Sequence, residues 1–219
     1  KIYEAQDGNS LYLTLDMTLQ HYLEKALYKA VSDFNANNRS CGIIMEAKTG
    51  AILAMATAPG FDLNDRSSLY SAVDRAKVDA VENEEERDEQ YAALREKQWK
   101  NKAVSERYYP GSVFKVITGS SALEEKVISL QSTFNCGRTI WVADTPFNCW
   151  ANYSHGTQDF TTAMTNSCNP AFVQIGQALG AEKFCEYFES YGLTEPTGID
   201  LPSEATSFYV PYSRMGPVE

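Results

Sequence analysis

A chain of 219 residues with 43% hydrophobic content is long enough to bury a core, and its length fits one domain with room for a smaller subdomain. A net charge of −10 argues against nucleic acid as a partner, because a nucleic-acid binder needs a basic face to offset phosphate charge. No apolar run approaches the roughly 18 residues of a membrane span and no signal peptide opens the chain, so the expectation is a trimmed soluble fragment.

Residues 11–15 read as a short strand, and Asp16 as the N-cap of a first helix. In that helix Leu19, Tyr22, Leu23, Ala26, Leu27, Ala30, Val31 and Phe34 recur at helical spacing, which predicts core packing and not a site. Residues 41–47 and 51–56 then face each other across a turn at Thr49-Gly50, a strong hairpin signal. From about Ser67 to Lys102 the chain is charged, with mixed signs and good helix formers around Glu82–Glu89. This reads as a solvated helical insertion, 67–102, within a domain covering 1–219.

The stretch Tyr109-Pro110-Gly111-Ser112-Val113-Phe114-Lys115-Val116-Ile117-Thr118 follows, and it carries the chemistry. A serine hydroxyl becomes a nucleophile only when a neighbour takes its proton, and a lysine does this where burial lowers its pKa. Residues three apart share a helix face, so Ser112 at a helix start sets Lys115 beside its hydroxyl. The free N–H groups of such a helix start lie near an oxygen that becomes charged during acyl transfer, the Ser112 N–H being one oxyanion donor. An isolated S-x-x-K is more often an N-capping serine followed by a surface lysine. Here Val113, Phe114, Val116 and Ile117 surround Lys115 and predict a buried helix that holds the lysine.

Five cysteines, Cys41, Cys136, Cys149, Cys168 and Cys185, lack C-x-x-C spacing, and His21 and His155 are the only histidines, so neither zinc nor any other metal is expected. Cys136 and Cys149 bracket a predicted hairpin with strand-like residues 139–142 and a turn at 144–146. Either they form a disulfide, which would contribute about 3 kcal/mol across so short a loop, or they remain two reduced, half-buried thiols. Residues 161–165 read as a short helix running into Ser167-Cys168-Asn169, with Pro170 in the first turn of the next helix and a further helix stopping at Gly192. Taken alone, Ser167 and Asn169 are ordinary helix-capping residues.

Ser112-Val113-Phe114-Lys115 within YPGSVFKVIT, Cys149-Trp150 before His155-Gly156, Ser167-Cys168-Asn169 and Thr197-Gly198-Ile199-Asp200-Leu201-Pro202 stand in an order that resembles class B penicillin-binding proteins, nearest to the Gram-positive division, elongation or sporulation transpeptidases. The resemblance implies an α+β fold of the penicillin-binding protein and serine β-lactamase type, an antiparallel sheet with a helical subdomain. It implies Ser112 as nucleophile, Lys115 as its base, Ser167 as proton relay to the leaving amine and Asn169 as a substrate-binding amide. The implied substrates are the D-Ala-D-Ala stem peptides of peptidoglycan, with β-lactams acylating the same serine, no cofactor, and other cell-wall synthesis proteins as partners. The implied location is the extracytoplasmic face of the membrane, through an N-terminal anchor.

The family's third motif, K-T-G, follows S-x-N on a strand, whereas Lys48-Thr49-Gly50 precedes Ser112 at a hairpin turn and is read as that turn. Glu195-Pro196 is likewise read as a turn and not as a deacylating element. No K-T-G follows Asn169, so the expectation is a C-terminally incomplete domain, short of strands and of its second oxyanion donor, and weakly acylated as an isolated chain. A β-lactam-sensing or scaffold module and a serine β-lactamase are the alternatives. The second of these lacks a convincing base for deacylation.

Overall fold

The computed structural model describes residues 7–36, 40–216 and 218. The chain forms two compact units, Lys1–Glu106 and Arg107–Glu219.

In the first unit, helix α1 (Met17–Asp33) starts where the Asp16 carboxylate accepts the backbone N–H groups of Thr18 and Leu19 at 2.8 and 2.9 Å, as an N-cap should. Strands β1 (Ser40–Met45) and β2 (Ile52–Ala58) form the antiparallel hairpin predicted from sequence, turning through Lys48-Thr49-Gly50. Ala54, Ala56 and Ala58 alternate along β2 and are buried. Leu19, Leu23, Leu27, Ala30 and Val31 form a half-buried stripe on α1, which packs on the hairpin, while Tyr22, Ala26 and Phe34 stay exposed. The Gln20 amide donates to the Met55 carbonyl at 3.0 Å and accepts the Met55 N–H at 2.9 Å, so one side chain satisfies both polar groups on the free edge of β2.

Residues 11–15 do not form the expected strand. Leu11, Tyr12 and Leu13 are exposed, and this stretch touches the hairpin only through its end, where the Thr14 hydroxyl and the Asp16 N–H donate to the Ile52 and Leu53 carbonyls. Alternation of apolar residues predicted a strand, but a strand needs a ladder partner. The charged stretch folds as helices α2 (Ala72–Asp79) and α3 (Glu84–Trp99), followed by the single turn α4 (Lys102–Ser105). Asn83 caps α3 by accepting the Glu86 N–H.

The second unit begins with a 3-10 turn (Gly111–Phe114) that runs into helix α5 (Lys115–Glu124). Three antiparallel elements follow: β3 (Thr133–Cys136) pairs with β6 (Gly156–Asp159), and β4 (Thr139–Val142) with β5 (Thr145–Asn148). The β4–β5 turn falls at Ala143-Asp144, so Pro146 lies within β5 opposite Trp141 and not in the turn predicted for it. Helices α6 (Phe160–Thr165), α7 (Asn169–Leu179) and α8 (Ala181–Ser190) complete the unit. Its core gathers Ile128, Phe134, Phe160, Phe172, Ile175 and Leu179 with small residues of α5, α6 and α7. Gly119 permits the close contact of α5 with α6, because a Cβ there would stand 3.0 Å from Phe160 Cζ.

Candidate active site

Ser112 and Lys115 meet because the backbone between them is a 3-10 turn, in which side chains three residues apart eclipse. Gly111 enters it at φ +60°, a conformation in which a side chain is strained. Lys115 Nζ lies 3.3 Å from Ser112 Oγ. Contrary to the expectation of a buried helix, Val113 and Val116 are 67% and 60% exposed, Ser112 is exposed and Lys115 is half-buried. The apolar surface against the lysine comes from α7, where the Phe172 ring centroid lies 5.5 Å from Nζ.

The lysine also holds the second motif. Nζ donates to the Ser167 carbonyl at 2.6 Å, to Ser167 Oγ at 3.1 Å and to Asn169 Oδ1 at 2.6 Å. One ammonium therefore gathers Ser112, Ser167 and Asn169, the four residues that the sequence singled out for catalysis and substrate binding. Burial holds its pKa below the ordinary 10.5, while the Cys168 and Cys149 sulfurs act in the opposite direction. The Asn169 amide donates in turn to the Asn148 carbonyl at 2.9 Å, so both ends of it are anchored. One lone pair on Oδ1 and one N–H remain for a ligand.

Ser167 owes its position to the end of α6. Its N–H donates to the Met164 carbonyl and the Cys168 N–H donates to the Ala163 carbonyl, both at 3.0 Å, the paired bonds of a Schellman motif. The residue after the C-cap of that motif takes the left-handed conformation and is usually glycine. Here it is Ser167, at φ +47°. The strained position aims the hydroxyl at Lys115. Beside it, Trp150 Nε1 donates to the Asn166 carbonyl at 2.8 Å.

Behind the motif lies a group of residues that sequence spacing did not bring together. The β4–β5 hairpin draws Cys136 and Cys149 close as expected, but the disulfide is not formed and all five cysteines are free. Both sulfurs face the His155 imidazole instead, at 3.6 and 3.5 Å from Nδ1, and Cys168 completes the group. Burial raises the Cys136 thiol, but hydrogen bonds to its sulfur from the backbone of His155 and Arg138 and from the His155 and Cys168 side chains outweigh it, bringing the pKa to about 6. Burial pushes Cys168 up to about 11. The four ligand-type residues are 13, 6 and 13 positions apart, a spacing that signals nothing in one dimension.

Residues 40–216 match the model of the penicillin-binding protein transpeptidase domain. The chain is 34% identical over 215 residues to stage V sporulation protein D of Bacillus subtilis, an alignment covering 98% of this chain and 29% of that protein. It is 28% identical over 206 residues to the peptidoglycan D,D-transpeptidase MrdA of Escherichia coli, covering 91% of this chain and 28% of that one. Among solved structures, penicillin-binding protein 3 of Mycobacterium tuberculosis complexed with ampicillin superposes with a TM-score of 0.75 at 24% identity, over 99% of this chain and 42% of the other. The chain thus spans less than a third of the length of these curated relatives.

Proposed function

The chain belongs to the penicillin-binding protein transpeptidase family and has its fold, and on that premise we propose that it crosslinks peptidoglycan by serine acyl transfer from D-Ala-D-Ala stem peptides. The observation that carries this reading is the bridge made by Lys115 Nζ between Ser112 Oγ and Ser167 Oγ, at 3.3 and 3.1 Å.

In the first half-reaction neutral Lys115 takes the Ser112 proton as Oγ attacks the carbonyl carbon of the penultimate D-Ala. The tetrahedral adduct breaks its C–N bond, and the departing D-Ala amine receives a proton from the lysine through the Ser167 hydroxyl. In the second, an amine from a neighbouring stem attacks the ester carbon, Ser167 and Lys115 take up its proton, and Ser112 leaves with a proton restored. Asn169, fixed at both ends, offers its remaining donor and acceptor to the peptide backbone of the stem. A β-lactam amide would enter the same first half-reaction, and its ring-opened ester would persist. This chemistry belongs at the extracytoplasmic face of the cell membrane, where stem peptides are exposed. Among the described residues no helix is long and apolar enough to cross a membrane.

The test is the intact mass of the protein carrying residues 1–219 after incubation with a slowly hydrolysed penicillin, followed by peptide mapping. One ester on the peptide containing Ser112, and release of D-Ala from a stem pentapeptide with a crosslinked product, are the expected results. Labelling at another residue, or none, would sink the reading. Rapid loss of the adduct to water would favour a β-lactamase, and a stable adduct without any D-Ala release would favour a sensor.

Ser167→Gly separates the hydroxyl from the backbone it sits on. Glycine relieves the left-handed conformation, so unfolding stability is expected to hold or rise by up to about 1 kcal/mol. Acylation is expected to slow at least about 10-fold, because the relay hydroxyl is gone. Thermal melts and a penicillin-labelling time course check the two halves, and unchanged labelling would remove Ser167 from the mechanism.

A further inference from the structure

Four elements that are distant along the chain each deliver one ligand-type side chain to a single point. Cys136 ends β3, Cys149 follows β5, His155 precedes β6 and Cys168 is the N-cap residue of α7. Their four donor atoms lie within 4.8 Å of one another, and the three cysteines are buried. Three buried thiols alone would be unremarkable, since a reduced cysteine packs as a small apolar residue. Packing does not explain why a polar imidazole nitrogen is turned onto two of those sulfurs, nor why the backbone of Arg138 and His155 hydrogen-bonds the Cys136 sulfur.

The distances have a simple origin. Bonds of about 2.3 Å to sulfur and about 2.0 Å to nitrogen at a tetrahedral angle put sulfur and nitrogen about 3.6 Å apart across the metal. The two Sγ–Nδ1 separations are 3.6 and 3.5 Å. We propose that Cys136, Cys149, His155 and Cys168 form a tetrahedral zinc site. Three soft thiolates and one imidazole favour zinc over calcium or magnesium, and four protein ligands leave no open position for water, so the site is structural and not catalytic. Binding sends the thiol protons to solvent and leaves a centre of net charge −1. The ring contacts of His155 with Tyr153, at 5.2 Å between centroids, and with Trp150, at 6.4 Å, hold the imidazole in place.

The site has a consequence for the nucleophile. Cys168 is the middle residue of Ser167-Cys168-Asn169, so a metal on its sulfur fastens that backbone to β3 and to the chain around β5 and β6. Zinc would thereby hold the proton relay and the substrate amide opposite Lys115, taking the place of the expected disulfide.

Zinc content by mass spectrometry, for protein expressed with added zinc and dialysed against metal-free buffer, tests the site without reference to catalysis. About one zinc per chain is expected, with all five thiols reduced on denaturation, and Cys136→Ser and His155→Ala should each fall well below that. Should either variant misfold, cobalt(II) exchange into the wild-type protein decides independently, with an intense thiolate-to-cobalt band and the visible absorption of tetrahedral cobalt expected. Chelation should lower the melting temperature and slow labelling of Ser112. Absence of both stoichiometric metal and a cobalt spectrum in reduced wild-type protein would overturn the proposal. So would a Cys136–Cys149 disulfide found by non-reducing peptide mapping, and iron in place of zinc would overturn the metal assignment.

Discussion

Lys115→Met is expected to lower the rate constant for acylation of Ser112 by a β-lactam about 1,000-fold, within the range ascribed to a single general base. Methionine keeps the length and the apolar contact with Phe172 but removes the only nitrogen that reaches Ser112 Oγ, Ser167 and Asn169 together. Lys115→Arg should be nearly as slow, for a different reason. A guanidinium retains charge and donors but never gives up its proton at accessible pH. If the lysine acted only as a fixed positive charge, the arginine variant would keep most of the rate. The comparison therefore separates proton transfer from electrostatics. Stopped-flow labelling with a fluorescent penicillin gives the rates. A rate within threefold of wild type in the methionine variant would remove Lys115 as the base. Stability should change little, because the site is open enough for water to replace the lost donor.

Ile175→Ala is expected to cost 2–5 kcal/mol of unfolding free energy, the range for truncating a buried aliphatic side chain whose cavity does not collapse. Ile175 is wholly buried, and with Ala171 and Leu179 it forms the face of α7 that enters the core of the second unit. The same helix carries Asn169 in its first turn, so a shift of α7 would also move the substrate amide. Urea unfolding measures the loss. Val116→Ala is the control, since its side chain is mostly exposed and should change stability by no more than about 0.5 kcal/mol. A cost under about 1 kcal/mol for Ile175→Ala would mean that the core repacks around α7 or that the helix does not anchor the unit.

The part of this protein that is legible in its sequence is the local part. Ser112 and Lys115 are three residues apart, so a single helical turn brings them together whatever the rest of the chain does. Hairpin residues 41–58 and the helices at 17–33 and 169–179 follow from periodicity and capping for the same reason. Residues 11–15 show where local reading fails, since a strand is completed by a neighbour and not by its own alternation. The environment of the lysine belongs to the tertiary structure. Its partners Ser167 and Asn169 lie 52 and 54 positions away, and the apolar surface beside it comes from Phe172 and not from the flanking valines. The cysteine–histidine group is the clearest case. Four residues spread from 136 to 168 carry no spacing signal, and only the packing of β3, the β4–β5 hairpin and the start of α7 places their donor atoms within bonding reach of one ion. Spacing determines what one turn can bring together, whereas chain crossings determine what meets across a core.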